Sequence, residues 1–300
     1  MANSFEELRT SGLRRLEVLR SLIRPDLGSH KRTTLRRAGC EASGSLLHND
    51  VAAAHSTLLK QDYQDRFHRG SPDGNQDQLR FLTVLHSVMA LDEAAVLRAA
   101  SEMEAGIHRV FEGLGAWCLG AIEVEIVNLA LLRRIGSLSD DETRKLNVLE
   151  KLGGSSDTQL DCGVLIHFHG VVDLSNSLLR EEQLRARLAE VKEWQLSPYQ
   201  IEAKHLFQKR ALLDNLRDIA SYITKGGNEQ LRYNTGFGRD LPDDLDAKVW
   251  RAGSGRADKG GETITDQRAL TLAEIRLLDK IWLELMNKRQ DKRGYLVKIG

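Results

Sequence analysis

The stretch Cys162-Gly163-Val164-Leu165-Ile166-His167-Phe168-His169-Gly170-Val171-Val172 decides how the chain is read. It is an apolar run, and its length suits a strand. Side chains alternate along a strand, so His167 and His169 share one face while Phe168 points the other way, into a core. Two imidazoles on one rigid strand make half of a divalent-metal site, because each neutral ring offers a nitrogen lone pair. The competing reading is a pair of hydrogen-bonded histidines on a half-exposed strand.

Outward from this run the chain alternates β-like and helical segments. Arg80 to Val88 (RFLTVLHSV) is β-rich, and Asp92 to Phe111 carries apolar residues at helical intervals behind Asp92 as a cap. Leu119 to Ile126 alternates strictly. An insert, roughly Asn128 to Asp161, contains a helix-like stretch from Asp140 to Leu152. After the histidine run, Leu178 to Trp194 reads as an amphipathic helix, Tyr199 to Phe207 as a strand, and Ala211 to Thr224 as another helix. The order β-α-β-(insert)-β-α-β-α predicts an α+β fold of the split βαβ (RRM-like) type, an antiparallel central sheet with helices on one face.

Before residue 75 lies a basic helical extension, residues 1–74. Arg14, Arg15, Arg20, Arg24, Lys31, Arg32, Arg36 and Arg37 crowd there, an amphipathic helix stops near Pro25, and a turn-rich break runs from Arg69 to Asn75. A basic arm touching phosphates and a solvated helical face are both compatible with that composition. Residues 241–300 read as a Gly-rich charged linker, Arg251 to Asp266, and a helix from Thr271 to Lys288 with Leu272, Ile275, Leu278, Ile281, Trp282 and Leu285 on one side.

Composition narrows the class. The 300 residues suffice for a core without disulfides, and Cys40, Cys118 and Cys162 are too widely spaced for a zinc knuckle and too few for a disulfide framework. They read as buried small apolar residues in a reducing cytoplasm. The chain shows no apolar run of about 20 residues, and its beginning lacks a secretory signal, so no membrane partner is expected. Lys and Arg (43) balance Asp and Glu (43), so a polyanion would have to be met by a local patch.

Two further groups of residues carry chemistry. Glu123 and Glu125 share one face of their strand, opposite Ile122, Val124 and Ile126. Beside the histidine strand, one of them adds an oxygen ligand, a mixed set that suits Mn²⁺ or Mg²⁺ and is also open to Zn²⁺. On an edge strand they would be two solvated carboxylates. Tyr222 and Lys225, three apart, project to one side of a helix. A phenol is a weak nucleophile at neutral pH, and a polarised phosphate with a nearby cation makes it effective. Tyr222 capping the core, with Lys225 snorkelling at a helix end, is the plain alternative.

Taken in order, Phe81-Leu82-Thr83, His167-Phe168-His169 and Tyr222-Ile223-Thr224-Lys225 resemble the motifs of the HUH endonuclease superfamily, specifically its single-tyrosine rolling-circle replication initiators of bacterial plasmids and phages. The segment Gly120 to Glu125 looks like that family's acidic strand. The resemblance covers about residues 79 to 230 and implies a nuclease domain over 75–240. It further implies that His167, His169 and Glu123 or Glu125 hold a divalent metal, that Tyr222 forms a 5′-phosphotyrosine link, and that Lys225 orients the phosphate. The implied partners are single-stranded or supercoiled origin DNA and a host helicase and polymerase, since the chain has no phosphate-binding G-x-x-x-x-G-K-[ST] loop. Lys204, Lys209, Arg210, Arg232 and Arg239 are the expected lining of a DNA groove. Tyr199 and Tyr233 lack the pattern of a second nucleophile. Two other classes compete: a non-catalytic DNA-binding regulator, and a different His-x-His metal enzyme such as a hydrolase.

Overall fold

A computed structural model describes residues 35–68, 76–133, 140–154, 160–177, 181–195, 199–224 and 270–300. The helix expected before Pro25, the turn from Arg69 to Asn75, the linker, and Lys225, Arg232 and Arg239 lie outside the described residues.

The elements are α1 (Asn49–His68), β1 (Leu79–Met89), α2 (Glu93–Phe111), β2 (Trp117–Asn128), α3 (Leu129–Arg133), α4 (Asp140–Leu152), β3 (Cys162–Asp173), α5 (Glu181–Glu190), β4 (Ile201–His205), α6 (Leu212–Ile223), α7 (Leu272–Asn287) and β5 (Leu296–Ile299). The strands form one sheet in the order β4-β1-β3-β2-β5, and every neighbouring pair is antiparallel. β1 and β2 therefore run the same way with β3 inserted between them, and β3 and β4 run the same way with β1 between them. The chain is α+β with an antiparallel sheet, as the sequence predicts.

Local sequence explains the element ends. The Asp92 carboxylate accepts from the Ala95 amide at 2.7 Å and so satisfies a donor that the first turn of α2 leaves open. Thr271 and Glu274 form a reciprocal capping box at α7, each side chain accepting from the other residue's amide. Two glycines set the approach of β2 to β3. Gly120 faces Gly170 across the ladder, and the Phe168 ring lies over the pair. A methyl at Gly120 would stand 2.3 Å from the His169 carbonyl oxygen and 2.5 Å from the Phe168 ring.

The expectation of helices on one face is corrected. β2 and β3 are buried along almost their whole length, so both faces of the sheet need cover. On one face Trp194 packs on Gly106 of α2 and donates to His86 of β1 at 3.0 Å. On the other face α6 lays Tyr222 against His169, and Leu146 and Leu149 of α4 join Leu85 and Leu165 in a separate apolar cluster. The main core draws on both flanks of the boundaries read at 74 and 241: Leu59 and Tyr63 of α1 and Leu278, Ile281 and Leu285 of α7 belong to it. The Tyr63 hydroxyl donates to the Leu119 carbonyl at 3.0 Å, and β5 pairs with the first half of β2. Cys40 and Cys118 are buried, whereas Cys162 is half-buried with its thiol 3.6 Å from Glu274. Among the described residues no helix is long and apolar enough to cross a membrane.

Two outcomes follow. Gly120→Ala will destabilise the fold by about 1–3 kcal/mol or more, because the clash is with backbone; an unchanged urea midpoint would contradict this packing. Burial lowers His55 and His86 from 6.5 to about 4, so the unfolded chain binds more protons than the folded one between those values. Stability will fall as pH is lowered from 6.5 to 5, a range above most carboxylate titration, by up to about 1.4 kcal/mol per pH unit for each histidine. Urea unfolding at several pH values checks the slope, and a flat profile would contradict it.

Candidate metal centre

Register brings the residues together. In the ladder, Thr83 of β1 is opposite His169 of β3, Leu85 is opposite His167, and Glu123 of β2 is opposite His167 from the other side. Directly paired residues of antiparallel strands point to the same face with Cβ atoms about 5 Å apart. One face of three adjacent strands thus carries Thr83, His167, His169, Glu123 and, two residues further along β2, Glu125.

The side chains converge. Glu123, His167 and His169 each offer one ligand atom, and those atoms lie within 4.8 Å of one another. Nδ1 of His167 and Nε2 of His169 are 3.0 Å apart. All three residues are buried, Glu123 and His167 at 1% exposure and His169 at 5%. The donor set fits a divalent cation: two nitrogen donors and one anionic oxygen donor on three rigid positions, with positive charge that would offset a carboxylate held away from water.

The far sides of the imidazoles are held as well. Nε2 of His167 lies 3.0 Å from Oε2 of Glu125, and Nδ1 of His169 lies 2.9 Å from the Thr83 hydroxyl. If these two nitrogens carry the protons, the converging Nδ1 and Nε2 atoms keep their lone pairs, the arrangement in which outer partners fix tautomer and ring angle for metal binding. Glu123 and Glu125, grouped together on sequence, therefore separate in geometry. Glu123 joins the cluster and Glu125 braces His167. Phe81 stacks on His169 at 5.5 Å between centroids with the rings 3° from parallel. In the sequence, Thr83 and Phe81 stand out only as parts of the Phe81-Leu82-Thr83 string.

α6 delivers the phenol. Asn215 donates to the Phe207 carbonyl at 2.8 Å and anchors the first turn, while Ser221 and Ser56 of α1 bring their hydroxyls to 3.4 Å on the outer side. Tyr222 is half-buried, edge-on to Phe81 at 6.1 Å and to His169 at 5.0 Å between centroids. Its hydroxyl is 3.5 Å from Nε2 of His169. Lys204 of β4 is opposite Phe81 in the ladder and so stands on the same face, exposed and paired with Glu202 at 2.8 Å. Arg210 pairs with Asp218 of α6 at 2.6 Å. Exposure on this face rises from β2 toward β4: Glu123 is buried, Thr83 and Phe81 half-buried, and Glu202 and Lys204 exposed.

Comparison with known proteins finds no match among family models, curated proteins or solved structures.

Mn²⁺ added to the metal-free protein will raise its melting temperature, since a ligand of the folded state stabilises it by mass action. Glu123→Gln and His169→Gln will abolish the shift. Glu125→Gln will retain it with affinity reduced about 10–100-fold. Calorimetric titration of the three variants checks the ranking, and equal affinity of Glu123→Gln and the parent would remove Glu123 from the set.

Proposed function

We propose that the protein is a metal-assisted endonuclease and strand transferase acting on single-stranded DNA, an initiator of rolling-circle replication. The observation that carries the proposal is the 3.5 Å approach of the Tyr222 hydroxyl to Nε2 of His169, one of two imidazoles clustered with a buried carboxylate. A nucleophile, a metal-ligand set and a half-open approach to both occur at one place. They come from segments spread from Phe81 to Tyr222, in the order the resemblance implies.

A divalent cation bound by Glu123, His167 and His169 would polarise the scissile phosphate and offset the charge that grows in its transition state. The remaining work belongs to the chain. Phe81 and His169 hold the Tyr222 ring edge-on, so the phenol oxygen has little freedom to lose on reaching phosphorus. That oxygen forms the new P–O bond and gives up its proton, the bond from phosphorus to the 3′ oxygen breaks, and that oxygen takes up a proton. The products are a 5′-phosphotyrosine ester and a 3′-hydroxyl that a host polymerase can extend. The ester keeps the bond energy, so attack by a free 3′-hydroxyl reseals the strand without nucleotide hydrolysis. Lys225, three residues beyond Tyr222 in sequence, is assigned to the phosphate oxygens. Lys204 on the exposed edge, with Arg232 and Arg239, is assigned to the flanking backbone.

The test uses 5′- and 3′-labelled single strands tiling the DNA that carries the gene, incubated with Mn²⁺ or with chelator and run on a denaturing protein gel. Label from the 3′ side of the cut will travel with the protein only when metal is present. Tyr222→Phe will abolish the adduct while Mn²⁺ binding stays intact. Cleavage by Tyr222→Phe would transfer the reading to a metal hydrolase. Sequence-specific retention with no cleavage at all would transfer it to a regulator.

A further inference from the structure

Tyr199 lies just ahead of β4 and is 53% exposed, the most open of the large apolar side chains among the described residues. Its position relative to the metal centre is fixed by the sheet. The Gln200 carbonyl accepts from the Leu85 amide at 2.9 Å, and Leu85 is the ladder partner of His167. The backbone beside Tyr199 is therefore two strand spacings, about 10 Å, from that of His167, on the exposed β4 side of the site. The Arg144 guanidinium sits over the Tyr199 ring, 5.6 Å from its centroid. Arg144 belongs to α4, whose Leu146 and Leu149 are anchored on the site face beside Leu85 and Leu165.

An exposed aromatic ring with an arginine on it, on the open flank of a phosphate-directed site, has the chemistry of a base-stacking platform. Every base offers a π-face, and one in a single strand is available to stack, whereas duplex bases are already stacked on each other. The guanidinium adds a cation–π contribution and a positive charge for the adjoining phosphate. We infer that Tyr199 and Arg144 form a subsite that stacks one unpaired nucleobase flanking the scissile phosphate, holding the strand across β4 beside Lys204. This rests on the single-strand nuclease reading for its substrate class. It adds how the strand is gripped and why a single strand is preferred to a duplex.

The experiment measures fluorescence anisotropy of the full chain in chelator, which blocks cleavage, with a labelled oligothymidylate and with an abasic strand of equal length. Tyr199→Ala will weaken binding of the base-bearing strand about tenfold and leave the abasic strand unaffected. Tyr199→Phe will keep the parent affinity, because the ring alone is needed. Equal affinity of Tyr199→Ala and the parent, equal loss on both strands, or no binding by the parent would each overturn the subsite. Circular dichroism confirms that the exposed substitution leaves the fold intact. The adduct assay separates the two proposals: covalent product from a Tyr199→Ala protein of parental affinity leaves the nuclease standing without the subsite, and base-dependent binding with no adduct leaves the subsite without the nuclease.

Discussion

The register of β3 between β1 and β2 is the constraint on which the molecule depends. Pairing Thr83 with His169 and Glu123 with His167 puts a hydroxyl, two imidazoles and a carboxylate on one face of three strands. A slip of one residue in either ladder would exchange faces, placing Phe168 among the polar groups and the histidines in the apolar core. The apolar side guards against this. Phe168 lies over the glycine pair Gly120 and Gly170, a close fit that a one-residue slip would break by turning Phe168 to the other face. Packing on one face thus fixes chemistry on the other.

The polar face is costly to bury, and partners at the two imidazoles offset part of that cost. His169 has Thr83 on one nitrogen, and His167 has Glu125. Phe81 covers one side of His169, and α6, held by Asn215 at its start and Ser221 against α1, lays Tyr222 against the same ring. Polar partners and packing of this kind restrict the two rings to one orientation. The softer side is β4, short and at the sheet's edge, where Glu202 and Lys204 reach solvent.

Much of this is legible in the sequence because the relevant signals are local. Alternation marks β2, a near-continuous apolar run marks β3, and helical spacing marks α2, with Asp92 as its cap, and α7. The helix Asp140–Leu152 has the bounds the pattern predicts. What is not legible depends on contacts distant in the chain. α1 shows little periodicity, yet Leu59 and Tyr63 are fully buried, and Tyr63 reaches Leu119 of the sheet across 56 positions of sequence. β5 is four residues long and gains its identity from the edge of β2. The second covered face escapes a sequence reading for the same reason: alternating Glu123 and Glu125 imply a wet face unless something folds over it. At the site, His167, His169 and Tyr222 follow from spacing and motif order. The division of labour between Glu123 and Glu125, and the bracing by Thr83, need three-dimensional distances.

The proposed cation would be held by Glu123, His167 and His169. Anomalous diffraction from a crystal of the Tyr222→Phe protein soaked in Mn²⁺ tests it most directly. One strong peak is expected within bonding distance of a Glu123 carboxylate oxygen, Nδ1 of His167 and Nε2 of His169, with the variant's benzyl ring still edge-on to His169. A peak bound elsewhere, or none at a concentration that saturates the protein in solution, would contradict it.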